Sequence, residues 1–247
     1  RGRRRMKALV FAAGLGERMR PLTDTTPKPL LRVGGKRLVE WHLEKLAALG
    51  VRDVVLNTSW LAAQFPQALG DGARWGLRIT YAYEGGTPLE TGGGMWNALP
   101  LLGGAHRTDE AFLLVNGDVW SDYDFARLPA EPAGLAHLVM VDRPTHAKHG
   151  DFALDDHGVL HAEGPHLLTY AGIGMYRPQL FDGWRDIVVA PAMVEGKPRF
   201  PLAPLLRARM PAGLVTGEHH RGCWTDVGTP ERLAQLDAAL AQSAAST

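Results

Sequence analysis

Apolar runs and amphipathic stretches alternate along this chain. The first run, residues 7–13, is apolar at nearly every position, which is typical of a strand covered on both faces of its sheet. Similar runs predict strands at 51–56, 77–83, 111–115, 135–141, 151–154, 167–176, 214–216 and 224–227. Apolar residues at helical spacing predict helices at 39–49, 60–69, around 96–99, at 203–210 and at 230–240. The β-α-β-α-β order of the first half predicts an α/β fold with parallel strands and right-handed crossovers.

The bulk composition narrows the class of protein. The chain of 247 residues is long enough for one large domain, which we expect to span residues 6–242. Residues 1–5 form a basic tail that we expect to lie outside the fold. The formal net charge of +1 gives no support for a nucleic-acid or membrane partner, and no apolar run reaches the roughly 18 residues of a membrane span. The single cysteine, Cys223, fits a cytoplasmic protein.

A glycine-containing polar loop of about 20 residues follows the first strand, and a loop of that length inside a compact domain is usually functional. Two common phosphate-binding motifs do not fit it. After Gly14 and Gly16 the chain has Met19 where a dinucleotide fingerprint needs a third glycine, and the second strand is followed by Asn57 rather than an acidic residue. The G-K-[ST] of a Walker-type loop is also missing.

The residues of this loop favour a triphosphate clamp. The backbone N–H groups of 14–17 can surround an anion, and Arg18 offers a planar fork to phosphate oxygens. Lys28 is a point charge between Pro27 and Pro29, which restrict the backbone around it. The alternative is a glycine turn with solvated basic residues.

Two aspartates predict a metal site. Asp118 directly follows a buried strand, at the sheet edge where α/β proteins bind ligands, and Asp226 belongs to a late strand. Two carboxylates, completed by phosphate oxygens and water, suit Mg²⁺. The alternative for Asp118 is a simple turn residue.

These segments together resemble the sugar-1-phosphate nucleotidyltransferases. The resemblance is carried by A-A-G-x-G-x-R-x-x-P-x-T at 12–23, by P-K-P at 27–29, and by the stretches 90–94, 116–120 and 224–229. It implies a Rossmann-like single domain with a mostly parallel, mixed central sheet flanked by helices. It also implies Mg²⁺ as cofactor, and a nucleoside triphosphate and a sugar 1-phosphate as substrates. Within the family, the stretches are most similar to the N-acetylmuramate-1-phosphate uridylyltransferases of peptidoglycan recycling, which implies UTP.

The resemblance and the residue chemistry assign roles within this site. Arg18 is expected to hold the β- and γ-phosphates, Lys28 to stabilise charge at the α-phosphoryl group, and Asp118 with Asp226 to hold the metal. The predicted nucleotide-binding residues are Ala12, Ala13, Gly14, Gly16, Arg18, Lys28, Glu84 and Gly92. The predicted sugar-binding residues are Glu90, Asn116, Gly150, Asp151, Thr169 and Gly172.

Several of these assignments have alternatives. Glu84 can accept hydrogen bonds from uracil or guanine, so it does not separate UTP from GTP, and it can also be a plain surface charge. Asn116 can be a turn residue, and Gly150 and Gly172 can be strand bends. An N-acetylmuramic acid substrate would need a cation or N–H donors for its carboxylate. The cations available for that carboxylate are His146, Lys148, His149, Arg177 and Arg221.

One departure from the family concerns a second phosphate-binding lysine. The segment that carries it as E-K-P in many relatives is Glu163-Gly164-Pro165 here, and Pro201 stands where the muramate enzymes have a lysine. Lys197 and Arg199 are the substitutes that the sequence offers.

Other functions stay open at this point. Within the family the alternative is a mannose- or heptose-1-phosphate guanylyltransferase, and outside it a non-catalytic nucleotide-sugar sensor. We expect a monomer or a weak homodimer.

Overall fold

The computed structural model of the protein describes residues 6–103 and 110–245. Its strands are β1 Lys7–Phe11, β2 Arg32–Val33, β3 Lys36–Arg37, β4 Asp53–Thr58, β5 Arg78–Tyr83, β6 Phe112–Asn116, β7 Val119–Ser121, β8 Ala136–Val141, β9 Phe152–Leu154, β10 Leu160–His161, β11 Leu167–Tyr176, β12 Ala192–Val194, β13 Lys197–Arg199, β14 Val215–His219 and β15 Trp224–Asp226. Its α-helices are α1 Leu22–Thr25, α2 Leu38–Leu49, α3 Gln64–Leu69, α4 Glu90–Gly103, α5 Trp184–Ile187, α6 Ala203–Arg209 and α7 Pro230–Ala245. The basic tail predicted at 1–5 lies outside the described residues.

Nine strands form a mixed central sheet, which confirms the predicted fold class. Its main path runs β10-β9-β11-β6-β1-β4-β5, with β8 beside β11 and β14 beside β8. β1 pairs in parallel with β4 and β6, and β4 with β5. The long strand β11 is antiparallel to both β6 and β8, so the sheet changes from parallel to mixed at the β6–β11 pairing.

Helices cover both faces of this sheet, because alternate residues of each strand point to opposite sides. Ala8 and Val10 of β1 pack into a core cluster with α2 and α3. Leu9 points the other way, into a cluster formed with α4 and α6. All three β1 side chains are fully buried, as the uninterrupted apolar run predicts.

A third, smaller cluster joins the loop after β1 to the end of the chain. Met19 of the loop and Val227 after β15 are both fully buried in it, together with Leu236 of α7. The helix predicted at 230–240 therefore exists and anchors the glycine loop, and it continues to Ala245. Thr229 accepts the Arg232 backbone N–H at 3.3 Å, as expected of an N-cap.

The helix predicted at 60–69 is wrong in its first part. The structure has a turn through residues 60–63, where Leu61 has a φ of 51°, and α3 begins only at Gln64. Pro66 explains the difference, because proline has no N–H to donate to a helical turn that started earlier. In the observed helix it lies in the first turn, where no such bond is needed.

Candidate active site

A cleft opens at the carboxyl ends of β1, β4 and β6. Its cavity of about 190 Å³ is lined by Phe11, Ala12, Ala13, Gly14, Lys28, Pro29, Asn57, Glu84, Pro88, Glu90, Thr91, Asn116 and Asp118. Parallel strands β4, β1 and β6 are neighbours here and end at the same edge, so residues from three separate chain segments meet. Most of the predicted catalytic and nucleotide-binding residues therefore share one site.

The glycine-containing loop after β1 is held in one conformation by hydrogen bonds to Gly16. Gly16 has a φ of 65°, and its carbonyl accepts the Met19 N–H at 2.8 Å and the Thr23 hydroxyl at 2.7 Å. A Cβ on Gly16 would lie 2.8 Å from the Thr23 methyl group, so the position requires glycine. Arg18, one residue before the buried Met19, is exposed and borders a second depression with Gly14, Glu17 and Lys28. A basic side chain thus faces solvent beside a rigid, glycine-containing backbone.

Lys28 lies in a short 3-10 helix, Lys28–Leu30, and reaches across the cleft to Asp118. Its Nζ is 2.7 Å from the Asp118 Oδ2, and only 11% of the lysine side chain is exposed, against 39% of the aspartate. Gly117 brings the aspartate close, because its N–H donates to the Phe11 carbonyl at 2.7 Å and a Cβ there would lie 2.6 Å from that oxygen. The predicted catalytic lysine and the predicted metal ligand are therefore direct neighbours.

The backbones of Asp118 and Asp226 are neighbours although the two residues lie far apart along the chain. β7 and β15 form a separate antiparallel ribbon, in which Asp226 pairs with Val119. The Val227 N–H donates to the Asp118 carbonyl at 2.8 Å. Within residues 6–103 and 110–245, no group of three or more His, Cys, Asp or Glu side chains is arranged to hold a metal. Two carboxylates on neighbouring backbone segments would suit an ion that also binds phosphate oxygens.

A buried polar chain fixes the other end of the cleft. The Asn57 Oδ1 accepts the Ala12 N–H at 2.6 Å, and its Nδ2 donates to the Glu84 Oε1 at 2.5 Å. Glu84 also accepts the Leu89 N–H at 2.8 Å and is 1% exposed. Burial raises the pKa of this carboxyl, while its hydrogen bonds to Leu89 and Asn57 lower it. The alternative that Glu84 is a plain surface charge is thus wrong, and its contact with a base stays a prediction.

The glycines 92–94 are explained by packing inside the protein. A Cβ on Gly92 would lie 2.6 Å from the Phe200 ring, and one on Gly93 would clash with the Pro198 carbonyl. A Cβ on Gly94 would lie 2.5 Å from the Glu84 Oε1. These three positions let α4 pack against the segment around β13 and against the buried glutamate. The predicted contact of Gly92 with a nucleotide stays a prediction.

The end of the cleft around Asn116, where the sequence predicted sugar contacts, is shaped by an irregularity in β11. The register between β11 and β8 shifts between Tyr170 and Gly174, and Gly172 within the shift has a φ of 73°. A Cβ on Gly172 would lie 2.6 Å from the Asn116 amide nitrogen, so this glycine makes room for a side chain of the cleft. The hydroxyl of Thr169 is buried and, in the part of the chain that the structure describes, has no hydrogen-bond partner. Gly172 therefore allows the Asn116 side chain to approach closely, and the predicted contacts of Gly172, Asn116 and Thr169 with a sugar stay predictions.

Gly150 and Asp151 make contacts within the sheet. A Cβ on Gly150 would clash with the Leu167 backbone, and the Asp151 carboxylate accepts the Tyr170 N–H at 2.8 Å. These contacts explain both residue types without a ligand. Their role in sugar binding stays a prediction.

The two candidates for the missing phosphate-binding lysine have different partners. Arg199 pairs with Glu90 at 3.1 Å, and Glu90 lines the cleft. Lys197 instead donates to the carbonyls of Tyr83 at 3.0 Å and Glu84 at 3.3 Å. Each cation thus contacts a residue that lines the cleft, Arg199 through the Glu90 carboxylate and Lys197 through the Glu84 carbonyl.

Arg177 lies too far from the cleft to bind a sugar carboxylate there. It follows β11 at Tyr176, which pairs with Phe112 at the start of β6, whereas the cleft lies at Asn116 at the end of β6. At about 3.3 Å per residue, the two ends of β6 are about 13 Å apart. The Arg177 guanidinium instead contacts Glu131 at 2.9 Å.

Sequence reasoning missed two residues of the site. Asn57 was noted only as a mismatch to a dinucleotide motif, yet it ties β1 to Glu84. Arg232 of α7 donates to the Asp226 Oδ1 at 2.6 Å, and His146 lies 3.1 Å from the same oxygen. The position of Asn57 at the end of a strand next to β1 was the available signal. For Arg232 there was none, since its partner depends on how α7 packs.

The comparisons with known proteins agree with this geometry. The nucleotidyl transferase family matches residues 7–243. The chain is 45% identical to an N-acetylmuramate alpha-1-phosphate uridylyltransferase of Neisseria meningitidis over 94% of this chain and 97% of the relative. It is 30% identical to an enzyme of the same name from Caulobacter vibrioides over 96% of this chain and 97% of that one. A Bacillus anthracis structure assigned as a glucose-1-phosphate thymidylyltransferase shares the fold, with a TM-score of 0.78, 18% identity and 95% of each chain covered.

Proposed function

The chain belongs to the nucleotidyl transferase family, and from this premise we propose that it transfers a uridylyl group from UTP to N-acetylmuramic acid 1-phosphate. The products are the UDP-sugar and pyrophosphate. The observation that carries the proposal is the meeting of the phosphate loop, Lys28, Asp118 and Asp226 at one sheet edge. The choice of UTP and of this sugar rests on the two relatives that act on N-acetylmuramate.

The reaction class follows from the charges of the substrates. A sugar 1-phosphate is already an anion near neutral pH, so no side chain has to remove a proton from it. Its oxygen attacks the α-phosphorus of UTP, the bond from that phosphorus to the bridging oxygen breaks, and the electron pair leaves with pyrophosphate. Such a reaction is accelerated mainly by positioning and by stabilising negative charge.

The residues of the cleft divide these tasks. The backbone of the glycine loop and Arg18 hold the outgoing β- and γ-phosphates. Lys28, on its short helix, exchanges part of its contact with Asp118 for the α-phosphoryl oxygens. The Asn57–Glu84 chain keeps the end of β1 in place under the nucleotide. We propose that Arg199, which forms an ion pair with the cleft residue Glu90, makes the second phosphate contact.

Asp118 and Asp226 are the residues that would hold Mg²⁺. Their side chains are 39% and 25% exposed, and the Val227 N–H joins their backbones, which supports one ion shared between them. When bound, the ion neutralises charge on both phosphate groups and aligns them.

We also propose where and with what partners the enzyme works. None of the helices in the described part of the chain is long and apolar enough to span a bilayer. The lone, unpaired Cys223 supports a cytoplasmic location. We expect a monomer or a weak homodimer that needs no protein partner for catalysis.

A pyrophosphate-release screen tests the proposal. UTP, GTP, dTTP and CTP are each combined with the 1-phosphates of N-acetylmuramic acid, N-acetylglucosamine, glucose and mannose, with Mg²⁺ present. We expect the highest kcat/KM for UTP with N-acetylmuramic acid 1-phosphate. Turnover restricted to GTP and mannose 1-phosphate would identify a guanylyltransferase instead.

The variant Asp118→Ala tests the predicted metal ligand in the same screen. It should abolish pyrophosphate release with the fold intact by circular dichroism, and the thermal unfolding temperature should fall, because the nearly buried Lys28 loses its partner. Full activity in this variant would contradict the role of Asp118.

A further inference from the structure

A second cavity is lined by Asp226, whose backbone neighbours that of the cleft residue Asp118. Its volume is about 340 Å³, within the range of small-molecule sites. Val141, Thr145, His146, Trp224, Asp226 and Arg232 are among its lining residues. The Trp224 indole N–H donates to the Ala171 carbonyl at 2.9 Å, which ties this wall to the irregular part of β11. The cavity therefore flanks the end of the cleft to which we assign the sugar.

Arg232 is held in a fixed position in the wall of this cavity. Its Nη1 lies 2.6 Å from both the Asp226 Oδ1 and the His146 Nε2, and only 15% of its side chain is exposed. A Cβ on Gly228 would clash with the guanidinium, so this glycine leaves the space that the arginine fills. The side chain is thus held in place by three neighbours before any ligand arrives.

The guanidinium still has donors to offer. Arginine carries five N–H groups in a planar fork, and the contacts with Asp226 and His146 both involve Nη1. Across the described ranges, Nε and Nη2 of Arg232 make no hydrogen bond. A carboxylate is the ligand that such a fork matches best, because it can accept two parallel hydrogen bonds.

The other acidic residues around the cavity have histidine partners of their own. The Asp142 carboxylate lies 3.0 Å from the His219 Nε2, and Asp122 lies 2.7 Å from the His220 Nε2. Asp226 would be shared with the metal. The permanent positive charge that faces the cavity is therefore that of Arg232.

Resting on the proposed function, we infer that Arg232 binds the carboxylate of an acidic sugar 1-phosphate, with His146 beside it. The residue then selects a sugar that carries a carboxylate over the same sugar without one. N-acetylmuramic acid and N-acetylglucosamine form such a pair, since they differ by a lactyl ether. Of the five cations that the sequence offered for this task, His146 lines the same cavity, whereas Lys148, His149, Arg177 and Arg221 are not among its lining residues.

Product affinity tests this inference apart from turnover. UDP-N-acetylmuramic acid and UDP-N-acetylglucosamine are titrated by calorimetry into wild type, Arg232→Gln, Arg232→Lys and Arg221→Gln, with Mg²⁺ present. We expect Arg232→Gln to lower the affinity for UDP-N-acetylmuramic acid by roughly ten- to a hundredfold, which corresponds to the loss of a charged hydrogen bond. The affinity for UDP-N-acetylglucosamine should change much less, and Arg232→Lys should recover part of the loss. Arg221→Gln, which removes a nearby cation of the neighbouring pocket, should behave as the wild type.

Three results would overturn the inference. An equal loss for both nucleotide sugars would mean that Arg232 acts only through Asp226. If Arg221→Gln loses the discrimination between the two nucleotide sugars and Arg232→Gln keeps it, Arg221 and not Arg232 binds the carboxylate. A wild type that binds both products equally well would show that no cation reads the carboxylate, even if UTP is used. Failure of the proposed function is seen separately, as turnover with other substrates in the pyrophosphate screen, and the inference falls with it.

Discussion

At the scale of single residues, the two basic side chains of the site differ in how deeply they are buried and whether they are paired. Lys28 is nearly buried and paired with Asp118, whereas Arg18 is exposed and, among the described residues, has no ion-pair partner. Under the proposed function, the ion pair would orient the lysine before substrate binds. The exposed arginine would be free to move toward the outer phosphates of a triphosphate.

Arg18→Ala should therefore weaken UTP binding with little effect on stability. The expected loss is about 1.5–3 kcal/mol in binding free energy, as for other charged hydrogen bonds, measured by calorimetry with a non-hydrolysable UTP analogue. Arg20→Ala is the matched control, because Arg20 is 61% exposed and pairs with Asp24 at 3.3 Å. If both variants bind the analogue as the wild type does, the clamp does not use Arg18.

At the scale of elements, the irregular part of β11 shapes the end of the cleft around Asn116, where we propose that the sugar binds. Gly172 occupies a left-handed conformation directly beside Asn116, so one backbone turn and one side chain depend on each other. The nucleotide end rests on β1 and β4, which β11 does not touch. Changes in β11 should therefore affect the two substrates differently.

Gly172→Ala should raise the KM for the sugar 1-phosphate while leaving the KM for UTP nearly unchanged. The added Cβ pushes on Asn116 and also strains the backbone by about 1–2 kcal/mol. Gly213→Ala controls for strain alone, since Gly213 has a φ of 68° with nothing within 4 Å of its Cβ position. Steady-state kinetics with each substrate varied separately measure the effect. Equal KM changes for both substrates would contradict a specific role of β11.

The sequence was a good guide to elements with a strong local pattern. The apolar run of β1, the glycine loop and the strand that ends before Asp118 were all readable from a few consecutive residues. The contacts between Asn57 and Glu84 were not, because they depend on β4 lying beside β5 in register, with Asn57 opposite Ala82. Arg232 depended in the same way on the packing of α7. Long-range packing, which no local pattern encodes, is what separates the predicted site from the observed one.

At the scale of the whole molecule, the site rests on a buried polar support. His42 of α2 is 3% exposed, and its Nε2 lies 2.8 Å from the Val119 carbonyl, next to Asp118. Since a carbonyl only accepts, Nε2 carries the proton of a neutral ring. Burial lowers the pKa of His42 to about 4, and the positive charge of Lys45 acts in the same direction.

This pKa predicts how stability depends on pH. The unfolded state binds a proton at His42 below about pH 6.5 and the folded state only below about pH 4, so the free energy of unfolding should fall as the pH is lowered between these values. The contribution of His42 is about 3 kcal/mol over the whole interval. Denaturant unfolding of wild type and His42→Gln at pH 4.5 and 7 measures it. The variant should be less stable than the wild type at pH 7 and should lose less stability at pH 4.5, and an identical loss would exclude His42 as the titrating group.

The ribbon of β7 and β15 has a consequence for the order in which the enzyme becomes active. Its two strands are joined by contacts such as the Ser121 hydroxyl to the Cys223 carbonyl, about a hundred residues apart along the chain. Lys28 and Asp118 depend on the pairing of β1, β4 and β6 in the first half of the chain, but the glycine loop also packs through Met19 against Val227 and Leu236 near its end. The glycine loop and the second carboxylate should therefore reach their final places together, when β15 and α7 dock. We expect nucleotide binding and turnover to appear in the same phase of refolding.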